Sequence, residues 1–404
     1  MGYTFAEKII ARKAGRCVQA GECVIVSVDA VMSTDAAAPY VIRAFEQLNN
    51  KKIANPDRTY FVLDHATPCP NEKIAELHKI IRDFSKEYHC QLYDQNYGVC
   101  HQILLEKGLV KEGELVLGAD SHTCSYGAIG AFSTGVGATD LGVAMAQGQT
   151  WVRVPETIRV ELTGKRPAGV LAKDLILKII GDLTCDGATY MAIEFAGEGF
   201  ESFSSEEAIT LCNMVVEMGA KSGVFVPSLT DPGLIPDDDA KYVKTVQYRA
   251  EELVPMIACP HTVDNVKPVT ELEQTPIDVV YVGSCTNGRT EDIAELANRL
   301  YNKKVANGVR LVVCPASAAV LKEITEKGYL SILIDAGASI SMPGCSLCVG
   351  TLGGVPANGE RVLSTTNRNF KGRMGNGSAF VYLCSPATAA AAALTGFITD
   401  PRRV

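Results

Sequence analysis

The feature that most constrains this chain is a recurring unit. A short apolar run rich in Val, Ile and Leu leads into polar or glycine residues and then a helical pattern. RTYFVLDHATPCP, GELVLGADSHTCS, IDVVYVGSCTNGRTEDIAELANRLYNKK, GVRLVVCPASAAVLKEI and GERVLSTTNRNF all carry it. Near-continuous apolar strands alternating with helices belong to parallel sheets buried on both faces, so an α/β fold is expected. After Thr290, Glu291 and Asp292 occupy a first helical turn, where the dipole favours acids, and Ile293, Leu296 and Leu300 follow at helical spacing. SPATAAAAALTG predicts a close-packed buried helix with Ser385 as N-cap, Pro386 at N1 and Gly396 past its end.

A length of 404 residues allows two or three domains. Strand character turns alternating and more exposed over 153–166, and a turn-rich acidic region begins at 227–240 and extends to about 275. These shifts divide the chain into α/β domains at 1–155, 156–273 and 274–404.

Composition narrows the function classes. A net charge of −8 gives no reason to expect a nucleic-acid or anionic-membrane surface. No run of about 18 apolar residues offers a membrane span. MGYTFAEKIIARKAGR reads as a basic amphipathic helix without a secretory h-region. Fourteen cysteines are too dilute for a secreted disulfide scaffold. A reducing, cytoplasmic setting is expected, with Cys23, Cys259, Cys314 and Cys384 as small buried hydrophobes.

Reactive side chains fall after strand-like runs: Asp64 and His65, Asp120 to His122, Cys285, and Asn367 with Arg368. In open α/β sheets ligands bind beyond the carboxyl ends of strands. The Cys345-x-x-Cys348 pair suits half a zinc site, a redox pair or chance. Together with Cys285 it also suits an iron–sulfur cluster held by three thiolates with one position open, and Cys314 or Cys124 could be a fourth ligand. His78 and His89 read as solvated. His65, His101 and His122 lie in polar or glycine-bearing segments, and a carboxylate-oriented histidine is what general acid catalysis needs. The helix opened by a Ser204/Glu207 capping box runs to Gly219, and Thr210, Asn213, Glu217 and Lys221 read as its solvent-facing stripe. NRNFKGR, with Arg368, Lys371 and Arg373, suits carboxylate or phosphate recognition, or a solvated basic loop. STGVGATD, residues 133–140, lacks GxGxxG and a Walker lysine and reads as a tight turn.

Taken in order, VCHQ, GADSHTCSYGA, GSCTNGR, PGCSLCVG and TTNRNFKGR resemble the aconitase superfamily over nearly the whole chain. Within it the likeness is to the large subunits of two-component hydro-lyases, the branch of 3-isopropylmalate dehydratase and homoaconitase. The resemblance implies three α/β domains with mostly parallel sheets around a [4Fe–4S] cluster ligated by Cys285, Cys345 and Cys348. It implies reversible dehydration of a 2-hydroxy di- or tricarboxylic acid. Asp64 and His65 become a general-acid pair. His101, Asp120 and His122 surround cluster and substrate, with Glu217 and Asn213 in support. Asp35, Ser121, Asn287, Asn367, Arg368 and Arg373 become substrate or cluster contacts. A separate small subunit is expected to supply the catalytic serine and side-chain specificity.

One departure is visible. Where the isopropylmalate branch shows His-Asp-x-Thr, this chain has Thr34-Asp35-Ala36-Ala37. That change brings 2,3-dimethylmalate, homocitrate and citramalate-like acids into consideration. Two other classes compete: a structural zinc or thiol-redox protein, and an RNA-binding regulator like superfamily members that have lost their cluster.

Overall fold

The apolar runs form the strands of three sheets in the computed structural model, which describes residues 2–48 and 52–404. The first sheet is wholly parallel, in the order Gln91–Tyr93, Thr59–Val62, Ala30–Thr34, Leu115–Gly118, Phe132–Gly135. Ala30–Thr34, Thr59–Val62 and Leu115–Gly118 are buried at every residue, so their sequences show no alternation. The second sheet is also parallel: Ser222–Phe225, Ala192–Ala196, Thr157–Thr163, Lys244–Arg249. Its edge strand, Lys244–Arg249, is the one that faces solvent.

The third sheet runs Val266–Pro268, Met256–Ala258, Phe380–Leu383, Arg361–Ser364, Val279–Gly283, Arg310–Cys314, Ser339–Ile340. It is parallel from Phe380–Leu383 onward, while its first two strands are antiparallel. Those two strands precede residue 273, yet they hydrogen-bond into the sheet of the C-terminal part. A separate antiparallel ribbon pairs Cys23–Ser27 with Gln149–Arg153. Alternation along it turns Cys23 outward, so this cysteine is exposed, unlike buried Cys259, Cys314 and Cys384.

Helix ends follow their capping chemistry. Thr290–Leu300 buries Ile293, Leu296 and Leu300, which share one apolar cluster with the alanines of Pro386–Thr395. Ser385 precedes that helix in extended conformation, although its hydroxyl bonds Thr388 Oγ1 at 3.2 Å instead of the backbone. Ser204 and Glu207 form the expected reciprocal cap, each bond at 3.2 Å. The helix Ser205–Met214 then tightens into a 3-10 turn, Val215–Met218, before Gly219. The stripe on this helix is not solvent-facing. Thr210, Asn213 and Glu217 are buried, because they bond the Cys285 turn and His122 across the interior.

The 3-10 segment Ser121–Ile129, which carries His122, leans on the second sheet through Gly127. A Cβ on Gly127 would stand 1.5 Å from the Gly223 carbonyl oxygen, so only glycine permits this approach. Gly127→Ala is therefore expected to destabilise the fold by about 1–3 kcal/mol. A thermal melt checks it: a clear fall in Tm is expected, and an unchanged Tm would contradict the packing argument.

Candidate functional site

Loops leaving the carboxyl ends of the first and third sheets meet at one cavity of about 120 Å³. The first sheet contributes Asp64–His65 after Thr59–Val62 and Asp120–His122 after Leu115–Gly118. The third contributes Cys285 after Val279–Gly283, Asn367 and Arg368 after Arg361–Ser364, and Cys345 and Cys348 beyond Ser339–Ile340. The cavity is lined by His65, His101, Asp120, Ser121, His122, the three cysteines, Val349, Asn367, Arg368 and Arg373. This is the crevice position that strand topology favours for ligands.

A polar network fixes the histidines. His65 Nδ1 lies 2.7 Å from Asp64 Oδ1, and Asp64 Oδ2 accepts from the Cys100 N–H at 2.8 Å. Burial would lower the pKa of His65, but the Cys345 sulfur and Asp64 carboxylate outweigh it and raise the pKa well above its usual value. His101 Nε2 lies 2.8 Å from Asp120 Oδ1, which also accepts the His122 N–H at 2.8 Å. Despite burial, the two histidines hold the Asp120 carboxyl well below the usual range. His122 Nε2 meets Glu217 Oε1 at 2.8 Å, and Arg368 Nε lies 2.9 Å from the same oxygen. Against burial, His122 and then Arg368 lower the Glu217 pKa, so it stays a carboxylate.

The sulfur side is rich in donors. Cys285 Sγ accepts from Asn213 Nδ2 at 3.3 Å and Asn367 Nδ2 at 3.6 Å, and Cys348 Sγ from Arg373 Nη2 at 3.5 Å. The Cys345 N–H donates to the Asp64 carbonyl at 2.8 Å, tying the two halves of the crevice together. Burial pushes the Cys285 thiol up to about 12, and Cys345 well above its normal value. Such thiols ionise when a cation binds them. Asp64, His65 and Cys345 are the one trio of metal-binding side chains among the described residues whose ligand atoms all lie within 4.8 Å of one another. The sulfurs of the three cysteines do not all lie within that distance of one another, yet they face one cavity. Arg373 adds a buried Nε without a partner among the described residues. Cys124 and Cys314 face elsewhere, donating to backbone carbonyls of Ser121 and Asn213, and of Met342 and Gly344. This donor set fits a cluster larger than one ion, with three protein ligands.

Not every expected residue reaches the cavity. Asp64, Asn213 and Glu217 stand behind its lining. Asn287 bonds Thr210 Oγ1 at 3.2 Å and Asp292 Oδ1 at 2.9 Å on the far side of the Cys285 turn. Asp35 also lies behind, accepting the N–H groups of His65 and Ala66 at 2.9 Å each and approaching His78 Nε2 at 3.0 Å. His78 is buried by that contact, not solvated, whereas His89 is exposed.

Two supporting cations were not expected. Arg289, 1 % exposed, donates to the carbonyls of Cys285 at 2.6 Å and Thr286 at 2.5 Å. Lys173, also 1 % exposed, donates to the carbonyls of Thr365 and Thr366 at 2.7 Å each and to Asn287 Oδ1 at 3.2 Å. Burial lowers the Lys173 pKa to about 8. Arg289 stands within the GSCTNGR motif, but Lys173 in LAKDLILK resembles any helix-surface lysine.

Burial alone would raise the Asp35 pKa. The His78 hydrogen bond, the His65 charge and two backbone N–H groups instead lower it to about 2. A lowered folded pKa stabilises the fold above the unfolded value near 3.8 and loses that contribution as pH falls towards 2. Asp35→Asn should thus cost roughly 2 kcal/mol at pH 7. The gap to wild type should shrink between about pH 4 and pH 2, as read from denaturation at each pH. A pH-independent gap would contradict the assignment.

The family model described as Aconitase family (aconitate hydratase) matches residues 7–231 and 265–396. The 3-isopropylmalate dehydratase large subunit 2 of Archaeoglobus fulgidus is 46 % identical over 415 residues, covering 100 % of this chain and 99 % of that protein. The 3-isopropylmalate dehydratase large subunit 1 of Thermotoga maritima is 46 % identical over 420 residues, covering all of both chains. The homoaconitase large subunit of Thermus thermophilus is 45 % identical over 412 residues, covering 100 % of this chain and 98 % of that protein. With the family model and full-length relatives in agreement, this chain belongs to the aconitase family.

Proposed function

We propose that this chain is the large subunit of an iron–sulfur hydro-lyase that reversibly dehydrates a 2-hydroxy di- or tricarboxylic acid, with 3-isopropylmalate as its substrate. The observation that carries this reading is three buried cysteines sharing one cavity with the Asp64–His65 pair and with Arg368 and Arg373. Cys285, Cys345 and Cys348 would hold a [4Fe–4S] cluster. When bound, such a cluster supplies a Lewis-acidic iron that weakens the C–O bond of the hydroxy acid.

The remaining chemistry belongs to protein groups. Asp64 accepts from His65 Nδ1 and so orients Nε2 towards the cavity as the proton donor to the leaving oxygen. Arg368 and Arg373 offer guanidinium donors to substrate carboxylates, fixing orientation and offsetting charge. His101 and His122, braced by Asp120 and Glu217, keep the opposite wall rigid. The carbon base is assigned to a small partner subunit, a reading supported by relatives whose names call them large subunits. Thr34 and Ala37 are not among the residues that line the cavity. The homoaconitase relative supports a second reading, in which homocitrate is the preferred acid.

The decisive assay combines the anaerobically reconstituted chain with its small subunit and follows water loss from a panel of substituted malates. Fastest turnover of 3-isopropylmalate supports the first reading, and preference for another acid moves the assignment to it. Two variants test residue roles. Cys348→Ser should stay folded yet lose bound iron, sulfide and turnover, and full turnover would refute its ligand role. His65→Asn should lower kcat by about 10²–10⁴-fold with cluster content unchanged. An unchanged kcat would remove His65 from proton transfer.

A further inference from the structure

Outside the cavity, a second set of reactive groups stands in line. Cys69 Sγ lies 3.0 Å from His78 Nδ1, and His78 Nε2 lies 3.0 Å from Asp35 Oδ2. His78 is 1 % exposed and Asp35 3 % exposed, whereas Cys69, on the loop before the helix Glu72–Tyr88, is partly exposed. The Gln95 side-chain amide approaches the same sulfur at 4.0 Å, and the Arg82 guanidinium, paired with Asp94, interacts with it electrostatically.

Direction follows from the partners. Asp35 is a carboxylate that also accepts two backbone N–H groups, so it takes the Nε2–H of His78. That choice of tautomer leaves the Nδ1 lone pair aimed at the thiol. A nucleophile, a base within hydrogen-bond reach and a third group orienting the base form the arrangement that activates thiols. Neither the cluster nor the hydroxy-acid chemistry uses it.

We propose that Cys69 is an activated thiol and a covalent modification site for small, uncharged, soft electrophiles, with His78 as its base. In the reaction with an alkyl halide, the sulfur forms a bond to the carbon while the carbon–halogen bond breaks. The halide leaves with the electron pair, and the thiol proton passes to His78 Nδ1. No oxidant or reductant is consumed. Cys69 stands three hydrogen bonds from His65, because it meets His78, and Asp35 holds both His78 and the His65 backbone N–H.

The inference is independent of the hydro-lyase reading, since the test reads alkylation and not turnover. The cluster-loaded full chain is treated with limiting iodoacetamide at pH 7, and each cysteine is followed by peptide mass spectrometry. Cys17, Cys23 and Cys185 are more exposed than Cys69 and serve as controls in the same molecule. Cys69 is expected to react at least about tenfold faster than any of them. Reaction no faster than theirs would overturn the proposal. His78→Gln should bring Cys69 down to the control rates without changing theirs, and an unchanged Cys69 rate in that folded variant would also overturn it. Should His78→Gln not fold, the ranking within the wild-type chain decides.

Discussion

The turn around Cys285 is the constraint on which the rest depends. It projects a thiol into a buried crevice and leaves its own carbonyls facing the interior. Buried carbonyls without donors each cost about 1–3 kcal/mol, and a buried guanidinium is costly unless fully bonded. Arg289 meets most of both needs: its two Nη atoms donate to Cys285 O and Thr286 O, and also to Glu206 O and Thr210 Oγ1, while its Nε has no partner among the described residues. Lys173 performs the parallel task for the Thr365–Thr366 carbonyls, just ahead of Asn367. The two loops that face the sulfurs are thus each fixed from behind by one fully buried cation.

A consequence is the division of labour between sheets. The first sheet presents histidines, each tied to a carboxylate. The third presents sulfur, amides and guanidinium groups. Asp64 bridges them, since its side chain accepts from His65 while its backbone carbonyl accepts from Cys345. The second sheet supplies bracing: Asn213 and Glu217, on the helix and turn leading to its Ser222–Phe225 strand, reach Cys285 and His122. Cations therefore stand on the cavity wall and carboxylates largely behind it, an arrangement suited to an anionic ligand.

Much of this was legible in the sequence because it depends on local rules. Continuous apolar runs declared buried parallel strands, and Ser204, Glu207, Pro386 and Gly396 marked helix ends through chemistry confined to a few residues. The reactive residues were legible as strand-end side chains and as motifs that resemble a known family. Long-range burial was not. Thr210, Asn213 and Glu217 have the spacing of a wet helix face, and only partners 70 or more residues away turn that face inward. His78 looks solvated among charged neighbours until Asp35, 43 positions earlier, meets it. Lys173 bonds carbonyls 192 and 193 residues away, which no local pattern encodes.

The central claim is that three protein sulfurs hold a cluster with one iron left free for a ligand. Mössbauer spectroscopy of the chain loaded with ⁵⁷Fe, paired with its small subunit, tests it most directly. The account predicts four irons per chain, one of them distinguishable from the other three and altered when a 2-hydroxy acid is added. Four irons indifferent to the acid, or a colourless folded protein holding zinc, would contradict it.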